Sequence, residues 1–209
     1  NMFSNCSTLT GQIPTDLFNY SPKLRSVASF FNGCSSLVGE IPDTIFNLTT
    51  GGTYDDLIYV ENLFSNCSNL RGSEFPSYLF EFTPNILTVD YLFNGIPNLS
   101  AEIPNDFFQF TKRIQSAAYT FANTGAKGLF PTRLFRGLES LTNVAGIFAN
   151  CSNITGTLPT CTSEDTKLFA DNPLISIIDY MFSGCTALSG SIPENIFFGL
   201  EEDTSEIRF

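Results

Sequence analysis

Phe31-Asn32-Gly33-Cys34-Ser35-Ser36-Leu37-Val38-Gly39-Glu40-Ile41-Pro42 decides the fold, because the chain repeats it. Its leading Phe recurs at Phe3, Phe31, Phe64, Phe93, Phe121, Phe148 and Phe182, with gaps of 28, 33, 29, 28, 27 and 34 residues. Three positions later stands Cys6, Cys34, Cys67, Cys151 or Cys185, with Ile96 and Thr124 in that slot in the fourth and fifth units. An apolar residue follows, as at Leu9, Leu37, Leu70 and Leu99. An apolar-Pro pair comes next, from Ile13-Pro14 to Ile192-Pro193, and then an apolar-Phe pair, from Leu17-Phe18 to Ile196-Phe197. A fixed period of this size marks stacked repeats, none of which can bury its apolar face alone.

The spacing within a unit predicts its local structure. Leu24, Val27, Phe31 and Cys34 step by three and four, as one face of a helix does. Ser21-Pro22 suits the start of that helix, and Asn32-Gly33, Ser65-Asn66 and Asn94-Gly95 suit its end. Leu37, Gly39 and Ile41 step by two, as a short strand does, and Pro42 ends it. A second placement stays open, with the strand at Val27 to Phe31. The expected fold is an α/β repeat solenoid of leucine-rich-repeat type: about seven units of about 28 residues, each a short strand plus a short helix, forming one domain over 1–209. Phe3, Cys6, Phe31, Cys34, Phe64, Cys67, Phe93, Phe121, Phe148, Cys151, Phe182 and Cys185 are the expected buried core ladder.

Phe31 to Leu37 and Met181 to Leu188 carry a resemblance to the BspA-like leucine-rich repeats of bacterial and protist surface proteins. Nearly the whole chain shares it. The units here are a few residues longer than the common BspA-like ones, and the G-x-I-P that follows resembles plant-type repeats. The resemblance implies surface adhesion or protein-protein interaction, at the cell surface or outside the cell.

Composition narrows the function classes. Lys and Arg total 10 against 21 Asp and Glu, a net charge of −11, which argues against a phosphate-backbone partner. Histidine is absent, so His-dependent triads, His-ligated metals and His pH switches are excluded. No carboxylate pair recurs at a cleft-forming position, so an enzyme is not expected, and neither is a cofactor. The longest apolar runs, such as Pro173 to Ile178, are too short to span a bilayer.

The cysteines read as buried packing groups, since Ile96 replaces one of them at the same slot. Cys161 lies in an insertion and is either free or paired with Cys151 or Cys185. No C-x-x-C spacing supports a zinc site, and the acidic loops match no calcium loop. Two units carry insertions, Thr49 to Asp56 and Thr160 to Lys167, and in repeat proteins insertions tend to gather on the binding side. Tyr54, Asp55 and Asp56 from the first, and Glu164 and Asp165 from the second, are therefore the candidate partner-contact residues. Sequons begin at Asn5, Asn19, Asn47, Asn66, Asn98, Asn150 and Asn153, and three are Asn-Cys-Ser steps of the repeat itself. Residue 3 already belongs to a unit lacking its helix, and Ile207-Arg208-Phe209 resembles the start of another, so a fragment without either cap is expected. The expected function is a non-enzymatic surface binding module contacting a protein or glycan. The alternative is a structural spacer or shell component of a surface layer or virus particle, with neighbouring copies or other subunits as partners.

Overall fold

The computed structural model describes residues 1–160, 167–197 and 200. Successive repeats lie one on the next in parallel register. β1 (Lys127–Leu129), β2 (Asn153–Thr157) and β3 (Leu188–Ser189) form one parallel sheet in the order β1-β2-β3. They occupy the L-x-G-x-I slot of the later units. The earlier units carry single parallel bridges there, Gly11 to Leu37, Gly39 to Leu70 and Gly72 to Leu99. A second line of bridges links Ser26, Tyr59, Thr88, Ser116, Asn143 and Ile177, just ahead of the repeating Phe.

The helix expected in each unit does not form, and this overturns the α/β architecture: among the described residues there is no helix. The reason is stereochemical. Two positions before the Phe, the backbone is left-handed in six units: Ser29, Asn62, Tyr91, Tyr119, Gly146 and Tyr180 have φ of 54 to 59°. Two positions after it, Asn5, Gly33, Asn66, Gly95, Asn123, Asn150 and Gly184 are left-handed as well. Asn and Gly are the residues that tolerate this region best. A right-handed helix cannot run through a left-handed residue on each side of its central Phe. The amide donors alternate instead. Phe30, Asn32 and Cys34 donate three residues back, to Val27, Ser29 and Phe31. Val27, Ser29, Phe31 and Gly33 donate across to Tyr59, Glu61, Leu63 and Ser65 of the next unit. Consecutive turns place Val27, Phe31 and Cys34 inward at spacings that imitate a helix face. The cross-unit bonds run through the Val27 to Phe31 segment that the second placement had named as strand.

The core follows from the repeat. Phe3, Phe31, Phe64, Phe93, Phe121, Phe148 and Phe182 stack in an unbroken column, with neighbouring ring centroids 6.0 to 6.2 Å apart. The five inner rings are buried; Phe3 and Phe182 are half-buried. Phe75 and Phe130 fill the apolar-Pro slot and meet the column edge-on, at 5.8 Å from Phe93 and 5.4 Å from Phe148. Each fully buried ring contributes about 1.5–3 kcal/mol by leaving water, plus about 0.5–1.5 kcal/mol for a well-placed aromatic pair.

The cysteine slot lies beside this column. Cys34, Cys67, Cys151 and Cys185 are buried, and each thiol donates to the carbonyl of the Phe one unit earlier, at 3.0 to 3.1 Å. Burial pushes the Cys67 and Cys185 thiols up to about 12, and raises those of Cys34 and Cys151. Cys6 departs from the expected ladder: it is exposed, because no described unit stacks on its outer side. Cys161 lies outside the described residues.

The left-handed slot after the Phe alternates for a packing reason. A Cβ at Gly33 would lie 2.6 Å from Asn5 Oδ1, and one at Gly95 would lie 2.6 Å from Asn66 Oδ1. The Asn of one unit thus occupies the space that a side chain on the next would need. Asn123 and Asn150 are adjacent Asn residues, and they fit because Asn150 Nδ2 donates to Asn123 Oδ1 at 2.8 Å.

Candidate functional site

The first insertion exposes Asp55 but turns Tyr54 inward. Tyr54 is fully buried, with its hydroxyl donating to the Phe18 carbonyl at 2.5 Å and its amide to the Phe82 carbonyl at 2.7 Å. Its ring meets Phe46 edge-on at 5.9 Å. The extra residues serve to fold an aromatic anchor into the core, so Tyr54 is corrected from contact residue to packing residue. Asp55 is exposed and accepts the Thr53 hydroxyl at 2.5 Å. Asp56 pairs with Lys23 at 3.4 Å across the surface, a contact worth about 0–1 kcal/mol. Glu164 and Asp165 lie outside the described residues. Among the described residues no group of three or more His, Cys, Asp or Glu gathers around a common point.

The structure instead displays an aromatic row on the bridge-bearing face. The outward slots here lie five and two positions before the repeating Phe. They present Tyr59 (45% exposed), Tyr91, Ile177 and Tyr180 (69% exposed), with Tyr119 half-buried in the same slot as Tyr91. Tyr91 and Tyr119 stack with centroids 5.0 Å apart and planes within 6°. A Cβ at Gly146 would lie 2.2 Å from Tyr119 Cε1, so glycine in the next unit is what lets the Tyr119 ring lie across the backbone. Polar groups flank the pair. Asp90 Oδ1 accepts the Ser116 hydroxyl at 2.6 Å and the Ala118 amide at 2.7 Å. Burial raises the Glu61 carboxyl, and the neighbouring Asp90 charge raises it further. Burial likewise raises the Tyr91 hydroxyl, helped by Tyr119 and Asp90. The backbone beneath is fixed: Tyr91 donates to Ala118 and Tyr119 to Ala145, both at 2.8 Å. The stacked Tyr91–Tyr119 pair, with Asp90 beside it, offers ring faces and hydroxyls for contact and hydrogen bonding.

Sequence reasoning missed these tyrosines because it looked for contact residues in the insertions, although Tyr91, Tyr119 and Tyr180 each stand two positions before a repeating Phe. The signal that could have found them is the Asn or Gly two positions past every Phe, which marks a left-handed residue in each unit.

A cavity of about 530 Å³ lies elsewhere, lined by Phe182, Cys185, Leu188, Ile192 and Ile196 of the last described unit.

No protein-family model matches the chain, and none of the curated proteins matches it. A solved leucine-rich repeat protein from Bacteroides ovatus ATCC 8483 is 16% identical, covering 91% of this chain and 68% of that chain, with a TM-score of 0.27.

Proposed function

We propose that the protein is a non-enzymatic binding module that recognises a protein or glycan on another surface through the aromatic row of Tyr59, Tyr91, Tyr119 and Tyr180. The observation that carries this reading is the stacked Tyr91–Tyr119 pair held on a hydrogen-bonded backbone. Tyrosine supplies a large amphipathic contact with few rotamers to freeze, which is why it is enriched at recognition surfaces. The resemblance of the F-x-x-C-x-x-L segment to the BspA-like repeats supports a cell-surface or extracellular setting and an adhesive role.

The test is a comparison of the wild type with Tyr91→Ser/Tyr119→Ser/Tyr180→Ser on immobilised protein and glycan panels. Loss of the wild-type signals, with the unfolding midpoint retained, is the expected result. Unchanged signals would sink the assignment. A structural spacer is the second reading, favoured by the unbroken Phe column, in which each unit bonds to its neighbours in the same way. Deleting 88–115, one full unit between bridge positions, separates the two. A spacer keeps its assembly role at shorter length, whereas a binding surface loses Tyr91 and its stacked pair with Tyr119.

A further inference from the structure

The chain's charge is not spread evenly. Residues 105–136 hold five of the ten cations, Lys112, Arg113, Lys127, Arg133 and Arg136, and one of the 21 carboxylates, Asp106. That stretch is net +4, five against one, in a protein that is otherwise net −15, five against twenty. Part of this charge surrounds a groove of about 500 Å³ between the apolar-Phe segments of the fourth and fifth units. Lys112 Nζ donates to the Arg136 carbonyl at 2.9 Å, which fixes the ammonium at the groove wall within the field of Asp171 and Asp106. The Arg133 amide donates to Asn105 Oδ1 at 3.1 Å and ties the two walls together, while the Arg133 residue is exposed. Arg113 is occupied elsewhere, donating to Asn85 Oδ1 at 2.9 Å.

We propose that this groove binds a carboxylate-bearing sugar residue, with Arg133 and Lys112 holding the carboxylate and Asn105 and Gln109 meeting the hydroxyls. The inference stands apart from the aromatic row and does not depend on it. Guanidinium matches a carboxylate with two parallel hydrogen bonds, and ammonium adds a second charged donor. The volume falls within the range that encloses small ligands. Six of the eight lining residues are polar or charged, and the two carboxamides among them provide both donors and acceptors. Asp106 at the same groove and the acidic remainder of the surface oppose a long polyanion, whose charges would extend past the local cations. One negative charge on a polar body fits these limits.

Titration calorimetry on the full chain tests the proposal with galacturonate, galactose and N-acetylglutamate as probes. Galacturonate is expected to bind one to one, and at least about tenfold more tightly than either of the other two, the scale of one charge-assisted hydrogen bond. Arg133→Ala should weaken galacturonate by about tenfold or more at an unchanged unfolding midpoint, and Arg113→Ala should leave it unaltered. Galactose binding as tightly as galacturonate would remove the charge from the argument. N-acetylglutamate binding as tightly would make an acidic peptide side chain the ligand and overturn the sugar. A short single-stranded oligonucleotide that outcompetes galacturonate would overturn both. So would an Arg133→Ala protein that binds like the wild type. Because the tyrosines are intact in every variant, failure here leaves the aromatic-row test as it stands.

Discussion

Gly95 and Asn66 occupy the same slot in successive units, and exchanging them tests the in-register stack directly. Gly95 has φ of 75°, and a Cβ there would lie 2.6 Å from Asn66 Oδ1 and 3.4 Å from Asn66 Cα. Gly95→Ala therefore has two separable costs. The left-handed backbone costs a non-glycine residue about 1–2 kcal/mol. The contact forces the Asn66 amide to rotate, losing its 3.2 Å bond to Ser65 Oγ and local packing, about 0.5–1.5 kcal/mol more. The single change should destabilise by about 2–3 kcal/mol in total. In an Asn66→Gly background the contact is gone and only the backbone cost of about 1–2 kcal/mol remains. The double-mutant cycle should thus show coupling of about 1 kcal/mol, measured as urea midpoints multiplied by a common m-value. Coupling below about 0.3 kcal/mol, the ordinary error of additivity, would mean that these residues do not face each other and that the stacking register is wrong.

Four further outcomes follow from the same geometry. Iodoacetamide should modify Cys6 in the native protein and reach Cys34, Cys67, Cys151 and Cys185 only after unfolding, as read by peptide mass spectrometry. The raised thiols also set an alkaline limit. Their folded-state values lie above the ordinary 9.0, so the stability they confer is complete below that value and is lost as pH rises toward about 12. Between these limits each thiol should steepen the loss by up to about 1.4 kcal/mol per pH unit, and Cys67→Ala should flatten the curve of urea midpoint against pH. Tyr54→Phe should cost about 0.5–1.5 kcal/mol by thermal or urea unfolding without altering any binding signal, since the Phe18 carbonyl keeps its bond from the Ser21 amide at 2.8 Å. Gly146→Ala should displace the Tyr119 ring and weaken whatever the aromatic row binds; near-ultraviolet circular dichroism would report the displaced ring, and an unchanged spectrum would contradict the packing of Tyr119 on Gly146.

Much of the packing was legible because a repeat reports each inward position several times. The Phe column and the Cys slot emerge from spacing alone, and Ile96 in a Cys slot already spoke for burial over chemistry. The secondary structure was not legible by the same means. A three-four spacing is shared by a helix and by consecutive turns, and periodicity of side chains is silent about backbone handedness. The deciding residues were Asn66, Gly95 and their equivalents, which a helix end and a repeated left-handed turn both favour. Tyr54 was misjudged because an insertion was read as a projecting loop, when a Tyr amid Gly and Asp residues had a neighbouring core to enter. The tyrosines were passed over for a related reason: contact residues were sought in the insertions, whereas Tyr91 and Tyr119 stack in a slot of the regular unit.

The alternation of amide donors bears on how such a chain would answer to force. Every second amide between Val27 and Gly33 points from one unit to the next, so these bonds lie along the direction in which the units are piled. A pull applied from one end of the pile to the other loads them head-on, one layer at a time, rather than sharing the load across many bonds in shear. Layers should then peel off singly at low force. Each release would free about 28 residues, close to 100 Å of extended chain. A stack built this way yields in small repeated steps.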